Sequence, residues 1–279
     1  MITDSETNLL YLANSLRKEK YSAFLDRFEK VLKKYSINYD FLPNTKDIWA
    51  KDYMPIQISI DKFVQFTYNP DYLQTAIFRQ TISPVDSICK SISLTAYKSD
   101  IVVDGGNVIR SQDKVVMCDK VFAENKNIKE KDLIQKLADT LEVNKIIFVP
   151  WDSNDFTGHA DGMVRFVDND TVFINDYSKE KSFQKKILKA LNSEKLDSVS
   201  IPYNPYSNKT ADQANGVYIN FLQMKDIVFV PTFGKPEDSI ALRQFEKYFK
   251  TVVPVDSNEI ADEGGILNCI SWNIRTDKK

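Results

Sequence analysis

Asp155-Phe156-Thr157-Gly158-His159-Ala160-Asp161-Gly162-Met163-Val164-Arg165-Phe166 contains the only histidine of this 279-residue chain. Its second half, with Val167, reads as a strand over residues 162–167, so the imidazole stands at a strand entrance. Gly158 and Ala160 are small and leave room for a ligand beside it. Histidine is the one side chain whose unperturbed pKa falls near neutrality. Asp161 follows two residues later, and in extended chain residues i and i+2 share a face. The stretch is therefore expected to present an imidazole and a carboxylate side by side.

Working outward, other unusual polar positions stand at comparable entrances. Asp104 lies 55 residues before His159, and Asp52 lies 52 residues before Asp104. Cys269 lies 110 residues after His159, two intervals of 55. A further node is then expected near residue 214, in Asp212-Gln213-Ala214-Asn215-Gly216, ahead of another strand. The runs between nodes repeat the order strand, strand, helix, strand. Strands are expected at 55–60, 62–67, 101–110, 114–118, 145–149, 162–167, 171–175, 216–222, 227–231 and 251–255. Helices are expected across 5–35 (from Leu9, Leu10, Leu12, Ala13, Leu16, Phe24, Phe28, Val31 and Leu32), 75–83, 129–141, 180–191 and 236–249. Five periods of roughly 55 residues span nearly the whole chain and point to a circular or stacked α/β array. No low-complexity segment or Gly/Ser linker interrupts them, so residues 1–279 are expected to form one domain.

Bulk properties narrow the function. Hydrophobic residues make up 43% of the chain, enough for a full core. The 37 basic and 39 acidic residues are mixed, giving a net charge of −2 and none of the basic stripe that nucleic acid requires. There is no signal-peptide pattern and no apolar run long enough to span a membrane. Three cysteines read as reduced thiols, so a cytoplasmic location is expected. Lys278-Lys279 reads as a solvated tail.

Cys269 follows Gly264-Gly265, a turn that lets backbone approach a ligand closely. Only about 3% of an unperturbed thiol is ionised at pH 7. A neighbouring imidazolium or a cationic substrate would raise that fraction. Cys89 and Cys118 lie in apolar runs and read as small buried hydrophobes. Asp52, in Trp49-Ala50-Lys51-Asp52-Tyr53-Met54-Pro55, and Asp104, in Val103-Asp104-Gly105-Gly106-Asn107, are each open to a turn reading. Together, Asp52, Asp104, His159, Asp161 and Cys269 place one thiol, one imidazole and three carboxylates around a centre. Three carboxylates favour a cation. One histidine without paired cysteines gives zinc no ligand set, so no metal and no cofactor are expected. A guanidinium fits better, being planar and able to pair bidentately with carboxylates.

These motifs resemble the guanidine-modifying enzymes, closest to the agmatine deiminase and bacterial peptidylarginine deiminase group. Trp49-Ala50-Lys51-Asp52-Tyr53-Met54-Pro55 is similar to its Trp-x-Arg-Asp-x-x-Pro pattern, and Asp104-Gly105-Gly106 to its Glu-Gly-Gly. Gly158-His159-Ala160-Asp161 matches Gly-His-x-Asp. Gly264-Gly265-Ile266-Leu267-Asn268-Cys269-Ile270-Ser271 resembles Gly-Gly-x-x-His-Cys-x-Thr. Tyr218-Ile219-Asn220-Phe221 and Val230-Pro231-Thr232-Phe233-Gly234 also resemble agmatine deiminase segments. Lys51, Asp104 and Asn268 depart from the family's Arg, Glu and His.

The resemblance implies a five-bladed α/β propeller of the pentein type, with ββαβ repeats around a central site. It implies deimination of a guanidino compound, most agmatine-like, with arginine or peptidyl-arginine as other substrates. Cys269 would be the nucleophile and His159 the proton shuttle. Asp52 and Asp161 would clamp the guanidinium, Asp104 would orient His159 or a substrate nitrogen, and Trp49 would wall the pocket or pack in the core. A substrate carboxylate would need a cation such as Arg165, Lys51 or Arg275. Amidinotransfer to an amine, a Cys-His-Asp protease or transglutaminase, and a non-catalytic propeller resembling ribosome anti-association factors are the competing readings. Oligomeric state is open, a homo-oligomer included.

Overall fold

A computed structural model describes residues 1–277, and the Lys278-Lys279 tail lies outside them. Among the described residues the strands form five three-stranded sheets of one design. Strands β3 (Ile56–Ser59), β4 (Lys62–Thr67) and β5 (Tyr97–Val102) make one sheet; β6 (Ile109–Arg110), β7 (Lys114–Cys118) and β8 (Lys145–Val149) make the next. Strands β9 (Val164–Phe166), β10 (Thr171–Asn175) and β11 (Asp197–Ile201) follow, then β12 (Leu222–Met224), β13 (Ile227–Thr232) and β14 (Thr251–Asp256). The remaining sheet joins the two ends of the chain: β15 (Ser271–Ile274) pairs antiparallel with β1 (Leu9–Ala13), which pairs parallel with β2 (Asn38–Leu42). Each sheet has an antiparallel pair followed by a parallel one. A parallel neighbour needs a crossover, and a helix supplies it. These helices are Ser22–Lys34, Val85–Ser91, Glu130–Leu141, Lys181–Ser193 and Glu237–Phe245. They bury one stripe each, as with Leu133, Leu137 and Leu141 at four-residue steps.

The middle strands are enclosed on both faces. Val115–Cys118 and Val172–Ile174 are almost fully buried, which explains runs without alternation. The same burial corrects the helix expected across 5–35. Leu10, Leu12 and Ala13 are buried on β1, the middle strand of its blade, and their crowded spacing imitates a helical stripe; the helix begins only at Ser22. The strand expected at 101–110 is two strands broken by the Gly105–Asn107 turn. The helix expected at 75–83 shrinks to Ala76–Arg79, and Val85–Ser91 is the crossover helix. The strand expected at 216–222 is β12, confined to Leu222–Met224. Strands β2, β11 and β15 had no counterpart in the sequence reading. No helix among the described residues is long and apolar enough to cross a membrane.

The first strand of each blade also carries a buried polar residue: Gln57, Arg110, Arg165, Gln223 and Asn273. The N-terminal segment reaches this ring. The Asp4 carboxylate accepts hydrogen bonds from Arg110 and, at 2.8 Å, from Arg165, while Asn273 donates to it at 3.4 Å. Arg165 also donates to the Phe221 carbonyl at 2.8 Å, and its guanidinium lies 4.4 Å above the Phe221 ring. Burial opposes ionisation of Asp4, but Arg110, Lys51 and Arg165 outweigh it and hold the carboxyl far below the ordinary range.

Candidate active site

The residues just before the first strands of the five blades, the inner strands β3, β6, β9, β12 and β15, meet at one site. Asp52 lies on the short helix Ala50–Tyr53 ahead of β3, and Asp104 precedes the Gly105–Asn107 turn ahead of β6. His159 precedes the Ala160–Gly162 turn ahead of β9, and Cys269 stands two residues before β15. All five residues anticipated for the chemistry are brought together. Asp52, Asp104, His159 and Asp161 are buried, and Cys269 is half-buried.

The imidazole sits between two carboxylates. His159 Nε2 is 3.0 Å from Asp104 Oδ2, and Nδ1 is 3.5 Å from Asp52 Oδ1. Asp104 thus orients His159 directly. Burial alone would lower the His159 pKa, but Asp52 and the hydrogen-bonded Asp104 outweigh it and hold it at about 10. Two carboxyl groups flanking one imidazole favour its protonated form. Burial pushes Asp52 upward, with the imidazolium pulling against it. Gly106 makes the approach feasible, since a Cβ there would stand 2.6 Å from His159 Nδ1 and 2.7 Å from Asp52 Oδ1.

Asp161 does not sit beside the imidazole as extended chain would place it, because residues 160–162 form a tight turn. It faces the nucleophile's strand instead. Asn268 Nδ2 donates to Asp161 Oδ2 at 2.6 Å, and that same oxygen lies 3.8 Å from Cys269 Sγ. Asn268 thereby fixes the carboxylate. Burial, then the charges of Asp161 and Asp52, push the Cys269 thiol well above its usual pKa; the Ile266 backbone and Asn220 side chain pull it back. The resting sulfur is a thiol.

Two residues at the site have no role in the sequence reading, although Asn220 lies in the family-like segment Tyr218-Ile219-Asn220-Phe221. Tyr72 donates to Asp104 Oδ2 at 3.1 Å from an irregular segment with no periodic signal. Asn220 lies 3.2 Å from Cys269 Sγ through Nδ2. It occupies the node expected at 212–216, displaced toward β12 by the long connection after β11.

These groups floor a cavity of about 610 Å³. Trp49 is one wall, packed so closely on Gly265 that a Cβ there would come within 2.5 Å of its ring. Five further carboxylates, Asp152, Asp155, Glu180, Asp212 and Glu263, line the cavity, and among the described residues no lysine or arginine does. The three cations considered for a substrate carboxylate lie elsewhere. Arg165 is bound to Asp4, Arg275 pairs with Glu6, and Lys51 is buried beside Arg110 and Asn273.

A five-bladed α/β propeller with a cysteine, a histidine and three carboxylates on its axis defines the guanidine-modifying class. The profile of a family described as Porphyromonas-type peptidyl-arginine deiminase matches residues 2–274, and the chain belongs to that family. A relative from Enterococcus faecalis named "Putative agmatine deiminase" is 24% identical, the match covering 66% of this chain and 60% of the relative. One of the same name from Streptococcus mutans is also 24% identical with the same coverage. The chain thus matches about 60% of the length of these curated relatives. C. jejuni agmatine deiminase superposes with a TM-score of 0.81 at 20% identity, over 99% of this chain and 95% of that one. DDAH from Pseudomonas aeruginosa gives 0.58 at 9% identity, over 96% and 99%. These likenesses establish the shared fold.

Proposed function

We propose that residues 1–279 form one catalytic domain that hydrolyses the guanidinium group of a small cationic compound, agmatine-like rather than arginine-like, releasing ammonia and a carbamoyl product. The observation that carries this reading is the cavity's charge. Its walls hold seven carboxylates and, among the described residues, no lysine or arginine. A guanidinium with an amine tail suits these acidic walls, whereas the carboxylate of free arginine would face them with the His159 imidazolium as the one cation among the described lining residues. A structure of C. jejuni agmatine deiminase carrying bound substrate shares this fold and supports a small-molecule ligand.

Asp52 and Asp161 hold the guanidinium nitrogens and turn its carbon toward Cys269. The cation offsets the charges that keep the sulfur protonated, so the thiol proton passes to solvent water and the thiolate forms as substrate docks. Sγ bonds to the guanidinium carbon, giving a tetrahedral adduct. His159 is anchored by its shorter Asp104 contact and donates through the looser Nδ1 as the C–N bond breaks and ammonia leaves. It then takes a proton from water attacking the amidino carbon. The C–S bond breaks, the thiolate returns and the urea-type product departs.

Ammonia release from agmatine, free arginine, methylated arginine and an arginyl peptide tests the reading. Agmatine should turn over far faster than arginine, and equal rates would overturn the tail assignment. Cys269→Ala should abolish turnover; survival at the wild-type rate would remove the thiol mechanism. Adding an acceptor amine and finding no new guanidino product excludes amidinotransfer.

A further inference from the structure

Lys120, on the short helix Lys120–Glu124 that follows β7, is buried at 4% exposure. It stands behind Tyr72 and Thr157, which line the cavity. An ammonium has three N–H donors and no acceptor. Nζ donates to Asp71 Oδ1 at 2.8 Å and to the Thr157 carbonyl at 2.7 Å, and Glu124 Oε1 lies 3.6 Å away. It also lies 5.2 Å from the centre of the Tyr72 ring and 5.6 Å from that of Trp151. The two hydrogen-bonded partners come from separate segments of the site. Asp71 opens the Asp71–Leu73 turn that carries Tyr72, and Thr157 stands two residues before His159. The stem is fitted as closely as the head. Gly158 has a φ of +64°, and a Cβ there would come within 2.6 Å of Lys120 Cδ.

We propose that Lys120 is a positioning residue for His159: its ammonium ties the Asp71–Leu73 turn to the Thr157 carbonyl, and so keeps the Tyr72 hydroxyl on Asp104 while Asp104 holds the imidazole. This rests on the proposed role of His159 but not on the substrate. The path from ammonium to imidazole is short. The Tyr72 hydroxyl donates to Asp104 Oδ2 at 3.1 Å, and the same oxygen faces His159 Nε2 at 3.0 Å. Asp104 Oδ1 is buried without a donor, so the shared oxygen is the carboxylate's one anchor among the described residues. Without Tyr72 the carboxylate is free to turn about its Cβ–Cγ bond, and the imidazole loses a fixed partner. From the other segment, the His159 backbone N–H donates to Thr157 Oγ1 at 3.4 Å. Phe156 packs edge-on against Tyr72, with ring centres 5.5 Å apart. The two segments therefore touch at the site, and Lys120 locks them together from behind. Small displacements of a reacting group are costly in rate, so a contact this far back still matters.

His159 is the chain's single histidine, so its ring signals in an NMR spectrum of full-length protein isotope-labelled at histidine are unambiguous. They report the imidazole's surroundings whether or not a guanidinium is hydrolysed, so failure here is separate from failure of the proposed reaction. Lys120→Met keeps the stem beside Gly158 and removes the ammonium, and Tyr72→Phe keeps the ring and removes the hydroxyl. Each should displace the His159 ring signals. The double variant should give the signals of Lys120→Met, because the hydroxyl has already left Asp104. In turnover, Lys120→Met should lower kcat by about tenfold or more, with KM for agmatine within about threefold. The double variant should have a kcat within about threefold of Lys120→Met. Asp71→Ala cuts the tie at its exposed end, so it should fold, displace the same signals and lower kcat by a smaller factor. Wild-type ring signals in Lys120→Met would overturn the proposal, and if that variant does not fold, wild-type signals in Asp71→Ala do so. A double variant whose loss in kcat is the product of the two single losses also overturns it, leaving Lys120 a part of the fold alone.

Discussion

One ring of polar residues stands just before the five inner strands, and a second stands within them. The first comprises Asp52, Asp104, His159, Asn220 and Cys269; the second comprises Gln57, Arg110, Arg165, Gln223 and Asn273. Both draw one residue from each blade, yet their charge balance is opposite. In the first, Asp52 and Asp104 flank one imidazole while Asp161 stands beside Cys269, and Asp52 Oδ1, which faces Nδ1 at 3.5 Å, and Asp104 Oδ1 are buried without a hydrogen-bond donor. In the second, Arg110 and Arg165 close on the single carboxylate of Asp4. Anions in excess leave a place for a cationic ligand, whereas a matched carboxylate leaves the second ring as a brace. The blade repeat supplies positions, and residue type decides whether a ring reacts or holds.

That contrast can be broken most forcefully at the brace. Asp4→Ala leaves two buried guanidinium groups without their acceptor and should destabilise the fold by about 3–5 kcal/mol. Urea unfolding measures it, and a loss below about 1 kcal/mol would remove the brace assignment. KM for agmatine in the folded fraction should stay at the wild-type value. The next largest effect belongs to the reactive ring. Gly106→Ala drives a methyl group between His159 and Asp52 and should lower kcat/KM by about 100-fold, because small misplacements of reacting groups are costly.

Acid and alkali should then separate the rings, each by at most about 1.4 kcal/mol per pH unit. The folded His159 pKa is raised from 6.5 to about 10, so its contribution is fully present below pH 6.5 and is lost as pH rises toward 10. The Asp4 pKa is lowered from 3.8, so its contribution is present above that value and is lost as pH falls. Urea midpoints across pH 3–10 should show an alkaline decline that His159→Asn flattens and an acid decline that Asp4→Asn flattens. Should either substitution leave its limb unchanged, that ring does not set it. The smallest effect is Arg275→Ala, which removes an exposed pair with Glu6 and should cost within about 1 kcal/mol. The Arg275 backbone keeps both hydrogen bonds to Gln57.

The reactive ring was largely legible because its residues are conspicuous at strand entrances: an aspartate after Val102-Val103, the lone histidine, a cysteine after paired glycines. Asn220, though its segment Tyr218–Phe221 was conspicuous, was given no place at the site because the long connection between β11 and β12 shifts the node away from the even spacing, and because an asparagine before a strand looks like an ordinary turn residue. Tyr72 escaped because the segment that positions it has no repeating pattern. The brace was invisible for a different reason. Its five residues share a place in the fold but no chemistry, and its key, Asp4, comes from outside the inner strands. Arg165 and Lys51, considered for a substrate carboxylate, belong to this second set. Strand β1 misled through burial on both faces, which erases the alternation that marks a half-buried strand.

The pairing of β15 with β1 makes the first blade depend on a strand that follows every other strand in the chain. A nascent chain ending before Ser271 would have four assembled sheets, a bare edge along β1 and a sulfur on a loose end. Bare edges invite pairing with other chains, so such a product is prone to stick rather than to react. The strand that seals the circle also brings the thiol together with groups from the four other blades. Assembly of the cysteine site therefore coincides with mechanical completion, and a partly made molecule lacks that site.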